Sequence, residues 1–202
     1  MTEELNKELN KDAANETNTV AEAKQAYLDK LIKLYDKIFE MEQITDSEIG
    51  LAVTAHYMES AKKAFMRAER HEYVFIYNVG KLEKELFLQI RDDALNKGLE
   101  KIKPTKGYLS SFITTVILAE EISEEAKPLI EQHRDMKNLK RKKMGYVNQR
   151  ISAVLFADNS VVYSKDCKEL GVFLENFFTA EFENEAAEAA AEMPQTPENA
   201  EE

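Results

Sequence analysis

Seven basic side chains crowd the segment from Arg134 to Arg150: Arg134, Lys137, Lys140, Arg141, Lys142, Lys143 and Arg150, opposed there by Asp135 alone for a local net charge of +6. On a helix, Arg134, Lys137 and Arg141 share a face with Lys140 beside them, and such a cluster binds phosphates by releasing their counterions. Tyr108 and Tyr146 are of the type that stacks on unpaired bases. No base-reading fork accompanies them, so binding of this kind is expected to tolerate any sequence. A solvated helix face gives the same basic pattern, and core packing also accounts for tyrosines.

Other chemistry is poorly supported. The chain has no GxGxxG, GxxxxGK[ST], HExxH or GxSxG motif, so phosphate-loop, dinucleotide, zincin and serine-hydrolase readings have no anchor. His56, His71 and His133 read as isolated helix-face residues without metal-ligand spacing. Asp92-Asp93 and Glu120-Glu121 are adjacent pairs that diverge on a helix, which is poor geometry for acid–base work. Cys167 stands alone between Asp166 and Lys168. It reads as an incidental residue at a helix start in a reducing cytoplasm, with no intramolecular disulfide to make. No enzymatic activity, metal or cofactor is expected.

The elements that must position the basic segment are read as helical. Of 202 residues, 44% are hydrophobic and 32% charged, with no Trp, six Gly and four Pro. Few turn-formers in a charged chain indicate long helices and one domain, and hence an all-α fold. The net charge is −11, but eight acids and no base follow Phe178, so the chain has a basic centre and an acidic end. The first residues lack a basic segment followed by an apolar stretch, and no run approaches the ~18 apolar residues of a membrane span. Neither secretion nor membrane insertion is expected.

Residues 1–19 are polar and read as a flexible arm. From Val20 to Gln43, Tyr27, Leu31, Leu34, Tyr35, Ile38 and Met41 recur at helical spacing, and residues 20–182 are expected to form a helical oligomerising domain. Ser47 to Lys97 reads as one helix of roughly 50 residues, a length that suggests a coiled coil or hairpin arm; a strand at Tyr73–Val79 is the less favoured reading there. Lys103-Pro104-Thr105 breaks the pattern, and Thr105 caps a short helix to Leu118. The basic helix then spans 128–157, with Leu129, Met136, Leu139, Val147, Ile151 and Val154 on one side. Lys140 and Lys143 interrupt that seam. Ala153–Phe156 and Val161–Tyr163 fit a minor β-hairpin near 153–163, although a loop between helices is preferred. A last amphipathic helix around Leu170–Phe182 precedes an acidic, disordered tail at 183–202.

Three segments, YNVGKLEKELFLQIRDDALNKG, KPTKGYLSSFITTVI and EEAKPLIEQHRDMKNLKRKKMGYVNQRISAVL, resemble in their order the phage helical proteins related to UvsY-type recombination mediators. The likeness covers roughly residues 50–157. It implies a protein of the infected bacterial cytoplasm that oligomerises, binds single-stranded DNA and helps a recombinase displace single-strand-binding protein. Carried over by position are Lys137, Lys140, Arg141, Lys142 and Lys143, with Lys103 and Lys106 at the turn. The acidic net charge, the residues before 50 and the tail after 157 depart from that pattern. Two other readings fit the same helices: a phage structural or scaffolding protein, and an acidic inhibitor of a host nucleic-acid enzyme.

Overall fold

Long strands, where helices were expected, organise the molecule. The computed structural model describes residues 2–45, 47–63, 66–139 and 145–192. A first helix, α1 (Thr2–Tyr35), is followed by the strands β1 (Glu40–Gln43), β2 (Leu51–Lys63) and β3 (Met66–Leu82). Then come α2 (Lys84–Lys101), β4 (Tyr108–Ile122), the short helix α3 (Ala126–Glu131), β5 (Asp135–Asn138), β6 (Tyr146–Leu155) and β7 (Ser160–Tyr163). A 3₁₀ turn at Lys165–Cys167 leads into α4 (Lys168–Glu192).

The seven strands form one mixed sheet in the order β1-β2-β3-β4-β6-β5, with β7 also paired to β6. The β1–β2, β2–β3, β5–β6 and β6–β7 pairs are antiparallel, whereas β3–β4 and β4–β6 are parallel. Parallel neighbours need crossover connections, and α2 and α3 supply them. They pack on one sheet face, where Tyr73, Phe75, Tyr77, Ile113, Ile117 and Ile151 meet Phe87, Ile90, Ala94 and Ile130. The opposite face packs Val74, Ile76, Val116, Leu118 and Val154 against Tyr27, Leu28 and Leu31 of α1 and Leu174 and Phe178 of α4.

Coverage on both faces explains why strands were read as helices. From Tyr73 to Tyr77, and from Ile113 to Ala119, every residue is buried. Strands covered on both sides lose the apolar–polar alternation that marks a half-exposed strand and become unbroken apolar runs. The all-α fold with coiled-coil arms is therefore corrected to a helix–sheet–helix sandwich. The expected helix from Ser47 to Lys97 is β2, β3 and most of α2; the Thr105-capped helix is the central strand β4; the basic helix at 128–157 is α3, β5 and β6. Tyr73–Val79 lies within a strand. The β-hairpin near 153–163 is formed, with Ala153 opposite Val162 and Val154 opposite Val161.

The terminal helices were legible in part: the helix expected from Val20 to Gln43 ends at Tyr35, and its last residues, Met41 among them, form the strand β1 instead. α1 contains the Tyr27, Leu31 and Tyr35 stripe, and it starts at Thr2, within the segment read as an arm. α4 reaches Glu192, inside the acidic segment; residues 193–202 lie outside the described ones. Lys24 anchors α1 to the sheet, its Nζ donating to the Val79 carbonyl and to Glu120 Oε1, both at 2.7 Å. A lysine only 6% exposed is tolerable because both partners compensate its lost hydration. Among the described residues no helix is long and apolar enough to cross a membrane.

Candidate functional site

The cations expected to bind a polyanion occupy separate segments. Lys103 and Lys106 are exposed in the connection between α2 and β4, Arg134 is exposed between α3 and β5, and Lys137 is exposed on β5, where its Nζ lies 3.5 Å from Asp135 Oδ2. Lys103 lines a hollow beside β1 and β2, whereas β5 forms the opposite edge of the sheet. At about 4.8 Å per strand, those edges are some 24 Å apart. Lys140, Arg141, Lys142 and Lys143 lie outside the described residues. Among the described residues, Arg134 and Lys137 share no helical face, because 135–138 is a strand.

The structure instead brings together residues that no sequence motif links. On the α1/α4 face, Glu72, Thr114 and Arg150 from the adjacent strands β3, β4 and β6 meet beneath the gap between the two helices. Arg150 Nη2 donates to Glu72 Oε1 at 2.7 Å and to Thr114 Oγ1 at 3.2 Å, and Thr114 Oγ1 donates to the same carboxylate at 2.8 Å. The guanidinium sits 4.1 Å above the Phe112 ring, a cation–π contact. Arg150 belonged to the basic run, but its partners come from β3 and β4, 78 and 36 residues away. Only strand register could have paired them.

Above this cluster opens a groove of about 350 Å³ between the end of α1 and the start of α4. Leu34, Tyr35, Ile38 and Phe39 form one wall, Leu170 and Phe173 the other, and Glu72 and Arg150 the floor. Burial raises the pKa of the Tyr35 phenol, with Glu72 adding to the effect, so this wall stays uncharged. Cys167, buried nearby at the start of α4, is pushed up to about 12 mainly by burial. A thiol held protonated in this way is structural, not nucleophilic.

On the opposite face the three histidines are not all isolated. The β2–β3 hairpin brings His56 Nε2 to 3.1 Å from His71 Nδ1. Tyr73 stacks on His56 at 4.6 Å, and Tyr108 lies 5.9 Å from the His71 ring while donating its hydroxyl proton to Ser111 Oγ at 2.8 Å. Beside them is a hollow of about 540 Å³ bordered by β1, β2, β3 and the end of α2. Among the described residues no three His, Cys, Asp or Glu side chains converge as metal ligands. A spacing of fifteen residues across a hairpin was visible in the sequence only to a reader who already knew the strands and their register.

No curated protein and no solved structure matches this chain. Residues 23–176, which span the whole sheet, α2, α3 and parts of α1 and α4, match the family of a domain of unknown function, DUF8052, and the chain belongs to that family.

Proposed function

We propose that this is a cytoplasmic, non-enzymatic binding protein that works as a self-associated assembly, with the groove between α1 and α4 holding a second copy of the chain. The observation that carries the reading is a hollow and two protruding apolar side chains in one patch: Ile38 is 62% exposed and Phe173 39%, on opposite walls of the same groove. A two-fold contact lets each copy's exposed side chains enter the other's groove, so that one event removes both from water. The walls also differ in charge. Lys33 and Lys37 outnumber Asp36 on the α1 side, and Asp166, Glu169 and Glu175 outnumber Lys165 and Lys168 on the α4 side. With α1 of one copy against α4 of the other, opposite signs meet at the rim.

This reading rests on the apolar groove and not on the expected nucleic-acid face: of the eight cations named for that face four lie outside the described residues, and Arg134 and Lys137 stand on a different segment from Lys103 and Lys106. Light scattering tests the proposal: the wild type is expected at twice the chain mass, and the Ile38→Asp, Phe173→Asp double variant at one chain mass with an unchanged circular dichroism spectrum. A wild type that stays monomeric at sub-millimolar concentration sinks it, as does a double variant that remains dimeric.

A further inference from the structure

The hollow beside the histidines has two carboxylates, Glu40 and Glu42, at the outer end of an aromatic floor, and at its inner end two lysines, Lys101 and Lys103, with one carboxylate, Glu100. Strand register builds that floor in two rows. Glu40 pairs with His56, which pairs with Tyr73; Glu42 pairs with Thr54, which pairs with Phe75. Directly opposed residues point to one face, so each row runs from a carboxylate on the outer strand to an aromatic ring two strands inward, about 10 Å away.

The end of α2 stands over the inner end of the rows. Tyr73 donates its hydroxyl proton to the Lys101 carbonyl at 3.4 Å, and Lys101 and Lys103 line the hollow together with Glu100. None of Glu40, Glu42, Glu100, Lys101 and Lys103 takes part in an ion pair among the described residues. Opposite charges that share a hollow without neutralising each other are available to a ligand that carries both. His56 lies between them. Burial and His71 hold its pKa below the ordinary imidazole range, while Glu40 and Lys101 act on it in opposite senses.

We infer that this hollow is a binding site for a small zwitterion of the amino-acid and short-peptide class. The ligand's ammonium faces Glu40 and Glu42, its carboxylate faces Lys101 and Lys103, and its side chain lies on the Tyr73–Phe75 floor. The volume of about 540 Å³ falls within the usual range of small-ligand pockets, roughly 300–1,000 Å³, and leaves room for a dipeptide. The site lies on the sheet face opposite the α1/α4 groove, so it stands or falls independently of self-association.

The test uses the full chain and the dipeptide Ala-Phe, with its N-acetylated and C-amidated forms, followed by ligand-observed NMR and calorimetry. Ala-Phe is expected to bind at millimolar concentration or better, and each blocked form about tenfold more weakly, the loss expected for one charged contact. Glu40→Gln with Glu42→Gln should weaken Ala-Phe and erase its advantage over the acetylated form alone. Lys101→Gln with Lys103→Gln should erase its advantage over the amide alone. No binding of Ala-Phe or of any proteinogenic amino acid at millimolar concentration overturns the inference, as do blocked forms that bind as well as the parent.

Discussion

His56 and His71 share one hydrogen bond in nearly a single plane: their nitrogens are 3.1 Å apart, their rings are inclined by 7° and their centroids are 5.4 Å apart. The excess of centroid separation over nitrogen separation equals about two ring radii, so the imidazoles meet edge to edge, with a lone pair of one aimed at the N–H of the other. This bond survives one added proton but not two, because a doubly cationic pair has no acceptor left.

Acid is therefore expected to destabilise the fold. Burial lowers the folded-state pKa of His56, with His71 adding to it, and burial also lowers that of His133. For such groups the unfolded chain binds protons first, so the stability is fully present above the unfolded imidazole pKa of about 6.5 and is lost as pH falls through the lower folded values. Urea midpoints measured from pH 8 to pH 5 should fall, and the fall should be shallower in His56→Gln. Parallel curves for the two proteins would show that the pair does not titrate in this way.

Removing the charge of Arg150 leaves Glu72 half-buried without its partner. The side chains are 17% and 27% exposed, so solvent screens the pair only in part. Arg150→Met should cost about 1–3 kcal/mol, less than a fully buried pair would. Adding Glu72→Gln should recover part of that loss in a double-mutant cycle. Strict additivity of the two changes would mean that the contact contributes nothing.

Gly98 lets α2 pack closely on Ile113 of β4. A Cβ there would fall 2.6 Å from Ile113 Cδ1 and 2.7 Å from Cγ1. Gly98→Ala should therefore destabilise by about 1–3 kcal/mol through overpacking, although alanine is intrinsically the better helix former by about 1 kcal/mol. Ile113→Val in the same chain should relieve part of the clash, because it removes Cδ1. A stabilised Gly98→Ala protein in thermal melts would contradict this packing.

Cys167 should be unreactive in the native protein. The thiol is buried and held protonated, mainly by burial, so an aromatic disulfide reagent should label it only as the chain unfolds. Labelling at neutral pH without denaturant, as fast as that of a free thiol, would show that the start of α4 opens readily.

Sequence pattern alone determined that the two terminal segments are helical, though not where the first helix ends, since the strand β1 takes the residues up to Gln43. The four-residue spacing of Tyr27, Leu31 and Tyr35 marks a helix with one buried face, as the structure has it, and Leu174 and Phe178 do the same for α4. Each of these helices packs on one side only, so each keeps the periodicity of its solvent boundary. The central strands have no such boundary: Val74 faces α1 and α4 while Phe75 faces α2. With both neighbours apolar, nothing in the local sequence separates a strand from a buried helix. The site residues were hidden for the same reason. Glu72, Thr114 and Arg150, like His56 and His71, acquire their roles from strand register, and register is a non-local outcome of which faces the helices bury.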